Sequence, residues 1–167
     1  PNTRAKIIFY VTISTAYLLV VFILGITMNA DKYAVNYSSK FISPCLEHLF
    51  GTDFMGRDMF WRCIKGLSNS ILIGILASII SSFIALVFGV SSAIIGGKYD
   101  KFINWCVDLC MGIPHLILLI LISFMLGRGT VGVTVAVAVT HWPSLTRLVR
   151  AEVLQVRSSQ YVQAAYK

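Results

Sequence analysis

Charge is scarce in this chain. Only 13% of its 167 residues are Asp, Glu, Lys or Arg, and just seven are acidic. A soluble globular domain carries about 25% charged residues, so a soluble class is excluded unless the apolar residues are scattered. They are not: the chain is 57% hydrophobic, and Ile7 to Met28 passes without one charge. Signatures of chemistry are missing too. There is no GxxxxGK[S/T] loop, which excludes ATP binding by that route, no HExxH, and no Ser/His/Asp arrangement. The four cysteines show neither CxxC nor Cys/His spacing, so no zinc site and no cofactor is expected. Cys106 and Cys110 stand four apart in an apolar run, where Cys acts as a small hydrophobe, and Cys45 and Cys63 pair only if their segment faces an oxidising compartment.

What is present is a series of membrane-length runs. Crossing the hydrocarbon takes roughly 20 apolar residues in a helix. Ile7 to Met28 qualifies, and it is too long for a signal-peptide core and lacks a cleavage pattern after it. Ile71 to Ile95 also qualifies; its Gly74, Ala77, Ser78, Ser81, Ser82, Ala85 and Gly89 predict close packing against protein. Phe102 to Leu126 is a third candidate, interrupted by Asp108, Gly112-Ile113-Pro114 and His115. A fourth helix runs from Thr130 to about Leu148, with Pro143 as a kink position and Arg147 placed to reach headgroups. The fold class is therefore all-α, a polytopic bundle of about four spans.

The net charge of +7 comes from Lys and Arg set between these runs, with no basic stripe interleaved with aromatics. The partner this implies is membrane lipid, not nucleic acid. With the N-terminus cytoplasmic, Arg4, Lys6, Lys98, Lys101, Arg147, Arg150, Arg157 and Lys167 lie inside, against Lys32, Lys40, Arg57, Arg62, Lys65 and Arg128 outside, a bias in the expected direction.

Between the first two spans lies the long polar region, Asn29 to Asn69. In its FGTDFMGRD segment Gly51, Asp53 and Gly56 are turn formers, and Asp58 is placed to cap a helix. After it Met59, Phe60, Cys63, Ile64 and Leu67 share a helical face, with Trp61, Arg62 and Lys65 elsewhere, the pattern of a short interfacial helix that either only leads into the next span or also docks a partner. Asp108 is the one acid inside a span: a pathway residue, or structurally either a polar contact with a neighbouring helix or a position near the cytoplasmic end of the span, and its nearness to Lys101 favours the structural reading. Pro114 bends its helix and marks a cavity or moving part, while His115 and His141 read first as hydrogen-bonded side chains and second as ligands of a soft metal or substrate. In the tail, Leu145, Leu148, Val149, Val153 and Val156 gather on one side and Arg147, Arg150 and Arg157 on another. Ser158-Ser159 breaks this pattern and starts a short helix, Gln160 to Ala165, whose Ala164 and Ala165 allow another protein to approach closely; the bland alternative is an amphipathic segment lying on lipid.

The order GTDFMGRD, GVSSAIIGGKYD, Asp108 with Pro114 six later, then HWPSLTRLVRAEVLQVRSSQYVQAA resembles the inner-membrane permease subunits of ABC importers for dipeptides, oligopeptides and nickel. The resemblance covers about His48 to Lys167, and the first span more loosely. It implies that Gly51, Thr52, Asp53, Gly56, Arg57 and Asp58 form an external motif. It also implies that Tyr161, Gln163, Ala164 and Ala165 open the EAA loop, the cytoplasmic element that docks on an ATPase subunit. Gln163-Ala164-Ala165 stands where the family usually has Glu-Ala-Ala, so one acidic contact is lost and the small pair kept. The implied partners are a second homologous permease subunit, two ATP-binding subunits and an external substrate-binding protein, in the cytoplasmic (inner) membrane of a prokaryote.

The expected organisation is residues 1–28 as N-terminal region and first span, 29–70 as external loop with the interfacial helix, and 71–167 as an incomplete permease core. The family's later spans and the Gly beyond the Ala pair are absent from these residues, so a fragment or truncated gene product is expected. The expected function is movement of nickel or short peptides, with ATP hydrolysis in the partner subunits. The rival readings are a small membrane adaptor or assembly protein, and an intramembrane enzyme built on Asp108 and His115. Asp108, Pro114, His115 and His141 are the hinge and pathway candidates.

Overall fold

The computed structural model describes residues 3–127 and 129–165. Arg128 and Lys167, two of the topology charges, lie outside the described residues, and the side chains of Tyr161, Gln163 and Ala165 lie outside the described part as well. The elements are α1 (Thr3–Thr27), α2 (Met59–Ile95), α3 (Gly97–Gly112), α4 (His115–Met125), α5 (Thr130–Ser158) and α6 (Gln160–Ala165), with 3-10 turns at Ala30–Tyr33 and Tyr37–Ser39. Among the described residues the sole β feature is one isolated bridge, Thr52 to Asp58. The chain is thus the expected all-α membrane bundle. Two helices, α1 and α2, are long and apolar enough to cross a membrane, and the α3–α4 pair is a third if taken as one broken span. The fourth expected span is helical throughout in the 29-residue α5, but it turns polar from Thr140 onward.

The chain forms two compact units, residues 1–72 and 73–167. In the first, α1 is an uninterrupted apolar helix whose buried positions are Val21 and Gly25. Gly25 sits where the start of α2 approaches most closely, since a Cβ there would collide with the Ser68 side chain. Polar bonds fix this crossing: Ser68 Oγ donates to the Phe22 carbonyl at 3.2 Å and Lys65 Nζ to the Gly25 carbonyl at 2.8 Å. The lysine thereby occupies one of the last carbonyls of α1, which have no partner within the helix.

Residues 59–70 are helical as expected, but not as a separate interfacial helix. They run without a break into the following span, making α2 a 37-residue rod about 55 Å long. No Pro lies between Met59 and Ile95. A single Gly such as Gly66 costs about 1 kcal/mol in a helix, less than a break would lose in backbone hydrogen bonds and their desolvation.

In the second unit α5 is the central helix. The small residues of α2 recur every four positions on its buried side, as Ala77, Ser81, Ala85, Gly89 and Ala93, while Gly74, Ser78 and Ser82 are exposed. At Gly89 a Cβ would lie 2.8 Å from the Val149 side chain and 3.0 Å from the Thr146 carbonyl oxygen, so the two backbones meet as closely as glycine allows. Phe88 and Trp142 pack beside this point with ring centres 5.7 Å apart. Between α3 and α4 the chain turns by 91°. Ile113 takes the extended conformation (φ −91°, ψ 133°) that a following proline imposes, and this ends α3.

Candidate functional site

Three places hold the residues that the sequence singles out. In the 51–58 segment, Asp53 is a hub. Its Oδ1 accepts the N–H groups of Met55 (2.9 Å) and Arg57 (3.0 Å), and its Oδ2 accepts Arg57 Nε (2.8 Å) and an Arg62 guanidinium nitrogen (2.8 Å). Desolvation pushes the Asp53 carboxyl up, but it is outweighed by hydrogen bonds from the Arg57 side chain, from the Arg57 and Met55 N–H groups, and by the Arg57 charge. Together these hold its pKa at about 2. Gly51 (φ +69°) and Gly56 (φ +70°) take left-handed conformations, and a Cβ on Gly56 would run into the Asn36 carbonyl. Thr52 Oγ1 accepts the Ile42 N–H at 2.9 Å and donates to the Ser39 carbonyl at 2.5 Å. Asp58 caps α2 as expected, its Oδ1 accepting the N–H of Phe60 (2.9 Å) and Trp61 (3.3 Å), while its Oδ2 meets His48 Nδ1 at 2.9 Å. Every residue of the motif therefore holds the segment's own shape. Cys45 and Cys63 are free and exposed; they form no disulfide.

The second place is the bend at Pro114. His115, which opens α4, and His141 on α5 come together edge to face with ring centres 5.0 Å apart. They share an open cleft of about 340 Å³ with Cys110, Pro114, Thr140 and Ser144. His141 Nδ1 also lies 3.0 Å from the Val137 carbonyl of its own helix. A second cleft of about 360 Å³ is lined by Ser78, Ser82, His141 and Ser144, so His141 and Ser144 stand between the two. Asp108 points elsewhere. It pairs with Arg147 of α5, both side chains being substantially exposed. Asp108 thus makes a helix-to-helix contact, and Arg147 is its partner.

The third place is the end of α5. The helix stops at Ser158, Ser159 is extended (φ −70°, ψ 145°), and α6 begins at Gln160, the break expected of the Ser pair. Ala164 is exposed. Upstream, the structure assembles a cluster that sequence reasoning missed. Asp100, in the first turn of α3, accepts both Nε and a terminal nitrogen of Arg150 at 2.6 Å. The same carboxylate accepts Asn104 Nδ2 at 2.8 Å and the Ser92 hydroxyl from α2. Arg157 donates to the Ala93 carbonyl at 3.2 Å. An acid just after Gly96-Gly97 is a legible helix-start signal; its partner fifty positions on is not.

Comparison with known proteins gives the chain a family. A family model described as "Binding-protein-dependent transport system inner membrane component" matches residues 70–166. The dipeptide transport system permease protein DppC of Bacillus subtilis is 34% identical over 124 residues, which are 74% of this chain and 39% of that protein. The probable D,D-dipeptide transport system permease protein DdpC of Escherichia coli is 32% identical over 159 residues, 92% of this chain and 53% of that protein. The oligopeptide transport system permease protein OppC of Bacillus subtilis is 33% identical over 138 residues, 83% and 42% of the two chains. The chain thus spans about half the length of these relatives, or less.

Proposed function

Because the chain belongs to the family of binding-protein-dependent transport system inner membrane components, we propose that it forms part of the permease of an ABC importer for short peptides. In this reading residues 71–167 belong to the permease core, residues 29–70 face outward, and the N-terminus is cytoplasmic in a prokaryotic inner membrane. A binding protein delivers substrate to the outer side, a second homologous permease subunit completes the path, and two ATP-binding subunits drive it. Short peptides are favoured as substrate because the relatives above are named for dipeptides and oligopeptides.

The observation that carries the coupling role is α6. It is a six-residue helix set off by one extended residue from a 29-residue helix, with Ala164 exposed on it. A short side chain there lets the groove of an ATP-binding subunit close over the backbone, and the long helix behind it carries the displacement into the bundle. The mechanism asks for two packings of the helices, with ATP favouring one and delivered substrate biasing the same equilibrium. His115 and His141 stand beside the Pro114 bend as pathway and hinge candidates, with Pro114 at the corner.

Nickel is the second substrate reading, and the meeting of His115 and His141 is what favours it. It stands second because no group of three or more His, Cys, Asp or Glu able to hold a metal ion occurs among the described residues. The test is Ala164→Arg and Ala165→Arg in the intact permease, assayed for co-purification of the ATP-binding subunits and for uptake of a labelled dipeptide and of nickel. Both variants are expected to lose the ATP-binding subunits and dipeptide uptake. Association that survives both would remove α6 from the coupling role, and uptake of nickel but not dipeptide would reverse the order of substrates.

A further inference from the structure

The cluster around Asp100 does more than the family assignment asks of it. Its carboxylate sits where three helices come together: Ser92 near the end of α2, Asp100 and Asn104 in the first turns of α3, and Arg150 on α5. Arg150 grips it through two parallel N–H···O bonds of 2.6 Å, a geometry that fixes direction as well as distance. The Asp100 side chain is 20% exposed and that of Arg150 30%, so water screens the pair only in part. One helical turn toward the outer end of α5 from Arg150, Thr146 is fully buried beside Gly89. Two turns the other way, Arg157 ties the same helix to the Ala93 carbonyl of α2. Between Gly89 and Ala93 on one side and Thr146 and Arg157 on the other, α5 has no freedom to slide along α2 without parting these contacts.

We propose that Asp100 and Arg150 are positioning residues for energy coupling. They clamp α5, ten residues before α6 begins, to the α2–α3 corner, so that a push on α6 moves α2 and α3 together with α5 instead of bending α5 alone. This rests on the assignment of α6 as the docking helix. A bidentate ion pair suits the task because it resists rotation of α5 about its axis, which apolar packing on small residues alone does not. Arg157 is the second tether, and Asp108 with Arg147, substantially exposed, lies on the same α3–α5 seam.

The experiment uses the intact permease assembled with its partner and ATP-binding subunits in proteoliposomes, carrying Asp100→Asn, Arg150→Lys, or the swapped pair Asp100→Arg with Arg150→Asp. Three quantities are read: co-purification of the ATP-binding subunits, basal ATP hydrolysis, and stimulation of hydrolysis by the loaded binding protein. Asp100→Asn is expected to keep the first two and to lose stimulation by about tenfold, within the usual range of coupling between sites. Arg150→Lys keeps the charge and loses the fork, so it folds where a neutral variant fails and shows a smaller loss of stimulation. The swapped pair recovers stimulation relative to either single change. Full stimulation in both Asp100→Asn and Arg150→Lys would overturn the clamp, as would loss of co-purification in those variants, which would make the pair a support for docking only. Failure of the unaltered permease to hold ATP-binding subunits at all would instead overturn the docking assignment beneath it.

Discussion

Single carboxylates organise the polar parts of this chain. Asp53 gathers two arginines and two backbone N–H groups, and its lowered pKa carries a sign that can be checked. A carboxylate whose pKa falls from 3.8 to about 2 on folding contributes order that is complete above pH 4 and fades as pH drops through 2. Protease cleavage within residues 29–58 is therefore expected to stay slow from neutral pH to about 4 and to rise below it, measured with a neutral protease above about pH 5 and an acid-active one below, each rate taken relative to an unfolded reference substrate at the same pH. Asp53→Asn should show the faster cleavage already at pH 7, and a flat response in both proteins would remove Asp53 as the organiser. The motif residues Gly51, Asp53, Gly56 and Asp58 were legible as turn and cap formers because those roles are local: they follow from φ and from side chains reaching two or three residues along. His48 against Asp58 and Arg150 against Asp100 were not, because a pairing across ten or fifty positions leaves no periodic trace in one sequence.

At the scale of elements, apolar length and small-residue spacing carried the most information. The spans in α1 and α2 were visible as uncharged runs, and the four-residue recurrence of Ala77, Ser81, Ala85 and Gly89 marks the side of α2 that is buried. What could not be read was that the helix expected after Asp58 and the span expected at Ile71 are one rod, since composition changes from interfacial to apolar while helical hydrogen bonding continues. The α2–α5 contact gives a paired prediction. Gly89→Ala places a methyl group 2.8 Å from Val149 and should destabilise by about 1–3 kcal/mol, as overpacking does. Gly74→Ala meets nothing within 4 Å and should be neutral or stabilise by up to about 1 kcal/mol. Thermal unfolding in detergent, followed for both variants of the intact permease, checks the contrast; equal melting shifts would contradict the packing.

For the whole molecule, the orientation can be tested with cysteines the chain already has. Cys45 is free and exposed in the polar segment. If that segment faces outward, a membrane-impermeant maleimide should label Cys45 and the equally exposed Cys63 on intact spheroplasts, with the signal lost only when both are changed to Ser. Labelling that appears only after permeabilisation would invert the arrangement and put the proposed coupling end outside. The bend of 91° at Ile113–Pro114 bears on the same question. An eleven-residue helix is only about 16 Å long, half the depth of the oily layer, and a corner leaves amide groups that hydrocarbon cannot solvate. Those groups must be hydrated or covered by protein. Where water does the covering, the low-dielectric barrier is thinner beside His115 and His141 than along a full-length apolar helix, and any voltage across the bilayer falls over a shorter distance there, so that charge carried past the corner works against a steeper gradient.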